Sequence, residues 1–406
     1  LQTYLKESGF VDKNSTEIKD LFAIKILSDQ EKHFNSLLNQ ARKLILDEDL
    51  SLITIEDSIL SDFIYVKNIL NLSHKEISME KLLELHQSNN EFSTTKPVFH
   101  VKKCKIYKKT QNLLNFIINS FKKTSQNASS VTFIYQTIRD IFEMFLALNH
   151  LNINENSSLR YICIAHNDFY YLSNYCSILS FAFKSLLSTD TQFLSFADYS
   201  ILFQQTVDDI LNTSIKKQQD SISLFALEFL NLLKGSHDNF MSNNINSKIY
   251  QRLFQIKQLC FDVLPLDIFQ QVMGSIISIL FEKIYQSIVE MEDITEQESI
   301  NMETTLPLLL DNIPQLMSSQ NNDLIVFVIF YTQQFYATIK FLKRYVLLIK
   351  IIQSTMQEII NMWENDQNDV KSEIPSTDII NLLRSLFQNT KLRSDAINRI
   401  VSNSRK

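Results

Sequence analysis

The side chains in this sequence that are best suited to acid–base chemistry are His166 and Asp168, two positions apart. A histidine beside a carboxylate is a common general base, provided that the two groups face each other. Residues 159–184 have the apolar spacing of a helix, and side chains at i and i+2 of a helix do not face each other. Four positions further on, Tyr170 and Leu172 supply neither a nucleophile nor a metal ligand. We therefore predict that the pair is structural and that the chain has no turnover chemistry.

Cysteines and clustered carboxylates are the other groups that could hold a metal. The four cysteines are scattered along the chain, at Cys104, Cys163, Cys176 and Cys260. Their separations match no zinc-ligand spacing and are typical of reduced thiols in the cytosol. The acidic group Glu290, Glu292 and Asp293 lacks the Glu-x-x-His phrase that a helical metal enzyme would need. We predict no catalytic residue, no bound metal and no cofactor.

The scarcity of glycine restricts the fold. Of 406 residues, three are glycine and five are proline. Tight hairpins and Gly-rich phosphate loops need glycine at fixed positions, and Gly9, Gly235 and Gly274 are too few to supply them. With 45% hydrophobic residues, the chain can still bury a core. The sequence therefore predicts an all-α fold.

Charge and hydropathy exclude two further classes. The net charge is −6, from 39 basic and 45 acidic residues, whereas a nucleic-acid-binding domain would show a basic footprint. The longest apolar run, Leu324 to Tyr331, has eight residues, and a membrane-spanning helix needs about 20. We predict neither a nucleic-acid partner nor a transmembrane segment. The chain starts with Leu1 and shows no secretory leader, so we expect a fragment without its N-terminal part.

Two polar, loop-rich stretches, residues 87–97 and 234–244, divide the sequence. Asparagine, serine, threonine and glycine are concentrated there, as is typical of connections. We predict the end of a central helical domain with an irregular acidic and polar loop region over residues 1–98. A helical bundle over residues 99–240 and a C-terminal bundle over residues 241–406 follow.

The last amphipathic stretch predicts a single helix from Ile379 to Val401, after a start signal at Pro375. At about 100° per residue, its apolar stripe contains Ile379, Leu383, Leu386, Thr390, Ile397 and Ile400. We assign to the core Ile379, Leu383, Leu386 and Ile397. The side chains expected on the outside are Arg384, Gln388, Lys391, Leu392 and Asp395.

The exact amino-acid sequence of this stretch is more specific than its pattern of apolar residues. The run Leu382-Leu383-Arg384-Ser385-Leu386-Phe387-Gln388-Asn389-Thr390-Lys391-Leu392-Arg393 closely resembles the C-terminal signature of the zeste-white-ten family of tethering proteins. Further phrases match in the family's order, around Val263-Leu264-Pro265 and Glu292-Asp293-Ile294. The matches extend over roughly residues 34 to 400. The chain thus resembles the C-terminal two thirds or so of a member such as the yeast Dsl-type subunit.

The resemblance implies an elongated rod of consecutive helical bundles and a non-enzymatic role. It implies a subunit of a multisubunit vesicle tether for Golgi-to-ER retrograde transport, cytoplasmic and peripheral on the endoplasmic reticulum membrane. The implied partners are an α-solenoid subunit bound through the C-terminal bundle and a second helical-rod subunit bound through the missing N-terminal part. The SNAREs of the endoplasmic reticulum would be indirect partners.

Coatomer is a further candidate partner. In the yeast branch of the family, tryptophans within a long acidic loop bind this vesicle coat. The corresponding residues 47–99 contain no tryptophan, and the only one in the chain is Trp363. We therefore assign coatomer binding to no residue of this chain.

We predict that the outer face of the last helix binds the α-solenoid subunit. The protein-binding residues would be Arg384, Gln388, Lys391, Leu392 and Asp395, with Arg384 and Lys391 paired to acidic groups of the partner. Three alternatives stay open: a helical rod of another tether, such as an exocyst or Golgi tether subunit; a kinetochore-linked adaptor, because animal members have a mitotic role; and an α-helical enzyme. The enzyme would need carboxylates or histidines clustered on facing helices.

Overall fold

The computed structural model describes residue 8 and residues 17–56, 102–124, 131–153, 157–186, 195–233, 239–317, 338–366 and 369–404. The chain forms two compact units, residues 1–208 and residues 209–406. Almost all of the described elements are α-helices, and the predicted all-α class is confirmed. The described strands form one two-stranded antiparallel ladder.

The boundary between the units, at residues 208 and 209, lies inside the long helix Ala197–Leu233. The domain boundaries predicted from the sequence, near residues 98 and 240, do not coincide with this boundary. Residues 57–101 lie outside the described residues, and a helix starts at Asn239, within the stretch predicted to be a linker. Whether further bundles can be separated within the two units stays a prediction.

The first unit is a helical bundle that also contains the strand pair. Its elements in chain order are α1 Glu17–Ile45, β1 Leu52–Ile55, β2 Cys104–Tyr107, α2 Lys108–Thr124, α3 Val131–Asn152, α4 Leu159–Leu186 and the first part of α5 Ala197–Leu233. Leu37, Ala41 and Ile45 form the buried face of α1, which packs against α2 and α3.

An aromatic cluster lies at the centre of this core. The ring of Phe203 on α5 meets Phe142 and Phe145 of α3 and Phe169 of α4 nearly at right angles, with centroid distances of 5.6, 5.9 and 5.7 Å. Phe203 is completely buried. Edge-to-face pairs add about 0.5–1.5 kcal/mol each to the free energy gained by burial. The cluster therefore joins three helices that are far apart in sequence.

Two side chains of α4 hold strand β2 in place. Asp168 Oδ1 accepts a hydrogen bond from the backbone N–H of Tyr107 at 3.0 Å, and Asn167 Nδ2 donates one to the carbonyl oxygen of Lys105 at 2.9 Å. Tyr107 and Lys105 are alternate residues of one strand, so both groups point to the same edge. The side chains of Asn167 and Asp168 are buried.

His166 points in another direction. Its Nε2 lies 3.7 Å from Asp208 Oδ1, and its ring stacks on Tyr170 with a centroid distance of 4.6 Å. His166 and Asp168 therefore do not face each other, as the helical spacing predicts. Asp168 bonds to strand β2 and His166 lies against Asp208 of α5, which fits the structural role that the sequence suggests.

Burial raises the pKa of the Asp168 carboxyl to about 8, although the Tyr107 N–H, the Thr110 hydroxyl and the Lys109 charge oppose the shift. In the unfolded chain this group has an ordinary pKa near 3.8. Between these two values the folded chain keeps a proton that the unfolded chain has released. Asp168 therefore contributes stability that is complete below pH 4 and is lost as the pH rises towards 8.

We expect Asp168→Asn to remove this pH dependence, because the amide keeps an oxygen acceptor for the Tyr107 N–H but does not ionise. The difference in unfolding free energy between the variant and the wild-type chain should change by about 1.4 kcal/mol per pH unit between pH 5 and 7.5. Urea midpoints at several pH values give this difference. Parallel curves for the two proteins would show that Asp168 keeps an ordinary pKa in the fold.

The second unit consists of the last part of α5 and of shorter helices. In chain order these are α6 Asn239–Cys260, α7 Leu266–Val289, α8 Glu296–Asp311, α9 Ile313–Met317, α10 Leu342–Ile352, α11 Met356–Glu364, α12 Val370–Glu373, α13 Ser376–Leu386 and α14 Lys391–Ser404. Thr295 and Thr355 start α8 and α11 with capping boxes that use Glu298 and Glu358.

Helix α7 is the central helix of this unit and packs against α9, α10 and α13. By length and composition alone it could cross a membrane, but most of its apolar stretch is buried inside the unit. Phe269, Ile277 and Phe281 are completely buried. A buried core helix has the same composition as a membrane span, so we assign α7 to the core.

Pro265 and Gly274 determine where α7 begins and how closely the neighbouring backbone approaches it. Pro265 is the N-cap residue of α7, with φ −53°. Gly274 allows a close approach, because a Cβ atom there would lie 2.8 Å from the carbonyl oxygen of Thr338. One turn later, Ser278 Oγ accepts a hydrogen bond from the Lys340 N–H at 3.0 Å. Helix α7 therefore touches the backbone that leads into α10.

Candidate protein-interaction site

The last amphipathic stretch forms two helices, and the prediction of one helix from Ile379 to Val401 is wrong. Helix α13 ends at Leu386, and Phe387 has extended backbone angles. Helix α14 begins at Lys391. Asn389 and Thr390 at the break are poor helix formers that favour caps and turns, and this outweighs the helical period of the apolar residues on either side.

Thr390 and Arg393 stabilise the break. The Thr390 hydroxyl accepts a hydrogen bond from the Arg393 N–H at 3.3 Å and so caps the start of α14. The Arg393 guanidinium donates from Nη1 to the carbonyl oxygens of Arg384 (2.9 Å) and Phe387 (2.6 Å). These carbonyls at the end of α13 would otherwise lack a helical partner. Thr390 is therefore an exposed capping residue rather than a member of the apolar stripe.

The loop between α7 and α8 lies against the end of α13. The buried residue Ile294 donates its N–H to the carbonyl oxygen of Ser385 at 2.9 Å. This bond holds the preceding residues, Glu292 and Asp293, next to the break. Both are exposed. The two family-like sequence motifs around Ile294 and Ser385, about 90 residues apart in the sequence, are thus in direct contact.

Further polar contacts fix the two helices in the unit. The Tyr285 hydroxyl of α7 donates to Asp378 Oδ2 of α13 at 2.9 Å. Burial and the Asp378 carboxylate raise the pKa of Tyr285, so the hydroxyl keeps the proton that it donates. On α14, Arg399 binds both carboxylate oxygens of Glu364 at 2.8 and 2.7 Å. These bonds hold α13 against α7 and α14 against α11.

A surface groove of about 650 Å³ lies between this loop and the two helices. It is lined by Glu292, Asp293, Arg384, Phe387, Gln388, Asn389, Arg393, Ser394, Ile397 and Asn398. Carboxylates stand on one side, and guanidinium and amide groups stand on the other. Such a lining suits the binding of a polar surface that carries both charges.

The structure brings some of the predicted binding residues together. All five are exposed, with Leu392 at 73%. Arg384 and Gln388 line the groove, whereas the other three lie beside it on the first turns of α14: Lys391, Leu392 and Asp395. Their role in binding stays a prediction. The acidic side of the groove could not be predicted, since nothing local in Glu292-Asp293 indicates which helix it contacts.

The core assignment of the last stretch is partly wrong. Ile379 and Leu383 are buried as predicted. Leu386 and Ile397 are only half-buried, and Ile397 lines the groove. The break turns α14 relative to a continuous helix, so Ala396 and Ile400 supply its buried face instead.

Among the described residues, no group of three or more histidine, cysteine, aspartate or glutamate side chains is placed to hold a metal ion. The four cysteines are all buried. The candidate site is built from charged and amide groups at the ends of α13 and α14 and in the loop between α7 and α8.

The described fold is almost entirely α-helical, and a polar surface groove lies near the end of its second unit. Residues 245–400 match a family model described as the ZW10 C-terminal helical domain. This range contains the whole groove, and it confirms the resemblance to the zeste-white-ten family over the C-terminal helical domain.

Two curated proteins are similar over a longer range. The chain is 22% identical to the "Centromere/kinetochore protein zw10 homolog" of Rattus norvegicus over 318 residues. This aligned region is 74% of this chain and 40% of the rat protein. The mouse protein of the same name is 21% identical over 316 residues, which is 74% of this chain and 39% of that protein. The matched region thus spans about 40% of the length of these relatives.

Proposed function

We propose that this chain is a non-enzymatic subunit of a multisubunit vesicle tether that acts in Golgi-to-ER retrograde transport. In this proposal it belongs to the Dsl-type branch of the zeste-white-ten family and works in the cytoplasm, peripherally on the endoplasmic reticulum membrane. Its C-terminal bundle binds an α-solenoid subunit of the same complex, which links it to SNAREs and incoming vesicles. The single observation that supports this most is the groove at the break between α13 and α14, within the family's own domain.

The charges around the groove support a protein partner. Arg384 and Lys391 stand exposed on either side of the break. Lys391 occupies the first turn of α14, which contains no acidic residue. Positive side chains at a helix N-terminus add to the positive end of the helix dipole, which is unfavourable unless an anion is nearby. We infer that acidic side chains of the partner provide that anion, while Glu292 and Asp293 face basic ones.

The test is a double charge reversal, Arg384→Glu with Lys391→Glu. We expect binding to the purified α-solenoid subunit to weaken by about 1–2 kcal/mol, because both favourable charge pairs become repulsive. The melting temperature should stay close to the wild-type value, since exposed substitutions usually change stability by less than about 0.5 kcal/mol. Calorimetric titration and thermal melting of the same preparations give the two quantities.

Lys283→Glu with Lys350→Glu is the matched control. Both lysines are exposed on other helices of the same unit, and the control changes the net charge by the same amount. It should leave binding almost unchanged. Leu383→Asp, at a completely buried position, should abolish binding by unfolding the bundle. Full-strength binding by the Arg384→Glu, Lys391→Glu chain would show that the partner binds a different surface.

A kinetochore-linked adaptor is the second candidate function, and the names of the rat and mouse relatives favour it. The two functions differ in where the chain acts during the cell cycle. Depletion of a retrograde tether subunit should block the return of a cargo that carries an ER-retrieval signal in interphase. Normal return of that cargo, together with concentration of the chain at kinetochores in mitosis, would favour the adaptor.

A further inference from the structure

The strand pair of the first unit has two outer edges, and one of them is closed. Tyr107 and Lys105 of β2 face outward. The Tyr107 N–H and the Lys105 carbonyl bond to Asp168 and Asn167 of α4, which packs against this strand. Neighbouring residues of a strand direct their backbone groups to opposite edges, so Ile106 faces β1. Helix α4 therefore covers the outer edge of β2.

The outer edge of β1 is different. The register pairs Ile53 with Ile106 and Ile55 with Cys104, so these two residues of β1 exchange backbone bonds with β2. Leu52 and Thr54 consequently direct their N–H and carbonyl groups away from β2. Within the part of the chain that the structure describes, no other group bonds to them. The Thr54 side chain is exposed, and that of Leu52 is half-buried.

The surroundings of this edge indicate what it would bind. Ile53 and Ile55 pack against the core of the first unit, so an added strand would place every second side chain beside apolar groups. Just before β1, the exposed residues Asp47, Glu48 and Asp49 form an acidic turn. Hydrogen bonds from the Asp49 N–H to Asp47 and from the Ser51 N–H to Asp49 hold the turn in shape. A basic side chain at the corresponding end of an added strand would be attracted to it.

We propose that the outer edge of β1 binds an extended segment of a partner protein as a third strand. The segment has apolar side chains at alternate positions and a basic residue where it passes the acidic turn. Backbone hydrogen bonds to Leu52 and Thr54 supply the affinity, and the apolar and basic positions supply the specificity. The edge lies in the first unit, outside the family's C-terminal domain, so this binding does not depend on the proposed tethering function.

The test uses the full chain and the synthetic peptide Lys-Lys-Val-Thr-Val-Thr-Val with blocked ends. Thr54→Pro removes an outward N–H and leaves the bonds of Ile53 and Ile55 to β2 in place, because proline is tolerated on the solvent side of an edge strand. Thr54→Ala keeps the N–H and is the matched control. We expect Thr54→Ala to bind like the wild-type chain, and Thr54→Pro to bind at least about tenfold more weakly.

Two further measurements separate strand addition from other binding. The Leu52 and Thr54 amides should exchange with solvent more slowly once the peptide binds, while the Ile53 and Ile55 amides are already protected. This readout needs no variant, so it decides the question even if Thr54→Pro fails to fold. Glu48→Gln should weaken binding of the lysine-bearing peptide and reduce its dependence on salt.

Three results would overturn the proposal. The first is equal binding by folded Thr54→Pro and Thr54→Ala chains. The second is absence of peptide binding or of amide protection in the wild-type chain, which would mean that the edge is already covered. The third is a concentration-dependent dimer that Thr54→Pro dissociates, since β1 would then pair with a second copy of this chain.

Discussion

Replacing Phe203 by alanine should lower the unfolding free energy of the chain by about 3–5 kcal/mol, the range for deleting a large buried aromatic side chain. The ring meets Phe142, Phe145 and Phe169 edge-to-face and is completely buried. Its loss leaves a cavity between three helices, and rigid helices cannot close such a cavity by a small shift. Urea unfolding followed by circular dichroism measures the change.

Leu202→Ala is the control for this experiment. Leu202 precedes Phe203 on the same helix but is 44% exposed, so its truncation should change stability by less than about 0.5 kcal/mol. Phe203→Leu, which keeps most of the volume, should fall between the two. A loss below about 1 kcal/mol for Phe203→Ala would mean that the surrounding side chains refill the space, and that the aromatic cluster is not the centre of this core.

Gly274→Ala should destabilise the second unit by about 3 kcal/mol, the upper end of the range for overpacking a core. The new Cβ atom would lie 2.5 Å from the Thr338 methyl group and 2.8 Å from the Thr338 carbonyl oxygen. The methyl group can rotate away, but the carbonyl is part of the backbone that leads into α10. Helix α7 must therefore move, and the bond between Ser278 and the Lys340 N–H lengthens with it.

The sign of the stability change distinguishes a close contact at Gly274 from an open helix position. At an open helix position, alanine stabilises relative to glycine by about 1 kcal/mol. Gln271→Ala, one turn earlier on the exposed side of α7, is the control and should be nearly neutral. Thermal melting of the chain measures both. A Gly274→Ala chain that melts at or above the wild-type temperature would show that α7 and the Thr338 backbone do not touch in solution.

Much of this fold could be predicted from local features of the sequence. Three glycines in 406 residues exclude most sheet architectures, and the all-α class follows from that scarcity. Pro265 indicates the start of α7, because proline suits the first positions of a helix and disrupts its interior. The spacing of His166 and Asp168 shows that the two side chains do not face each other, and this requires helical geometry alone.

The features that sequence reasoning missed depend on competition or on long-range contact. The break at Phe387–Thr390 occurs because the Thr390 cap and the Arg393 bonds to carbonyl oxygens together outweigh a continuing helix. Arg393 satisfies these carbonyls from a position that the helical wheel treats as ordinary surface. The helical period of apolar residues contains no information on the strength of such polar bonds, so the break cannot be predicted from it.

Strand β1 was missed for a related reason. Its four residues, Leu52 to Ile55, include β-branched types, but a two-stranded ladder needs a partner, and β2 lies about 50 residues further along the chain. The groove likewise combines Glu292 and Asp293 with residues about 90 positions later. Long-range contacts such as the backbone bond from Ile294 to Ser385 bring those segments together, and local sequence does not encode them.

The way in which α4 holds β2 also limits how far this sheet can spread. Asp168 and Asn167 bond to outward groups of Tyr107 and Lys105, and α4 packs against that strand, so within the described fold a strand can join on the β1 side alone. Two copies that met through β1 would form a closed pair with two-fold symmetry, in which each copy uses up the edge of the other. A growing fibre needs a second open edge on every copy. The two side chains that fasten α4 to the strand therefore also protect the folded chain against open-ended polymerisation through this sheet.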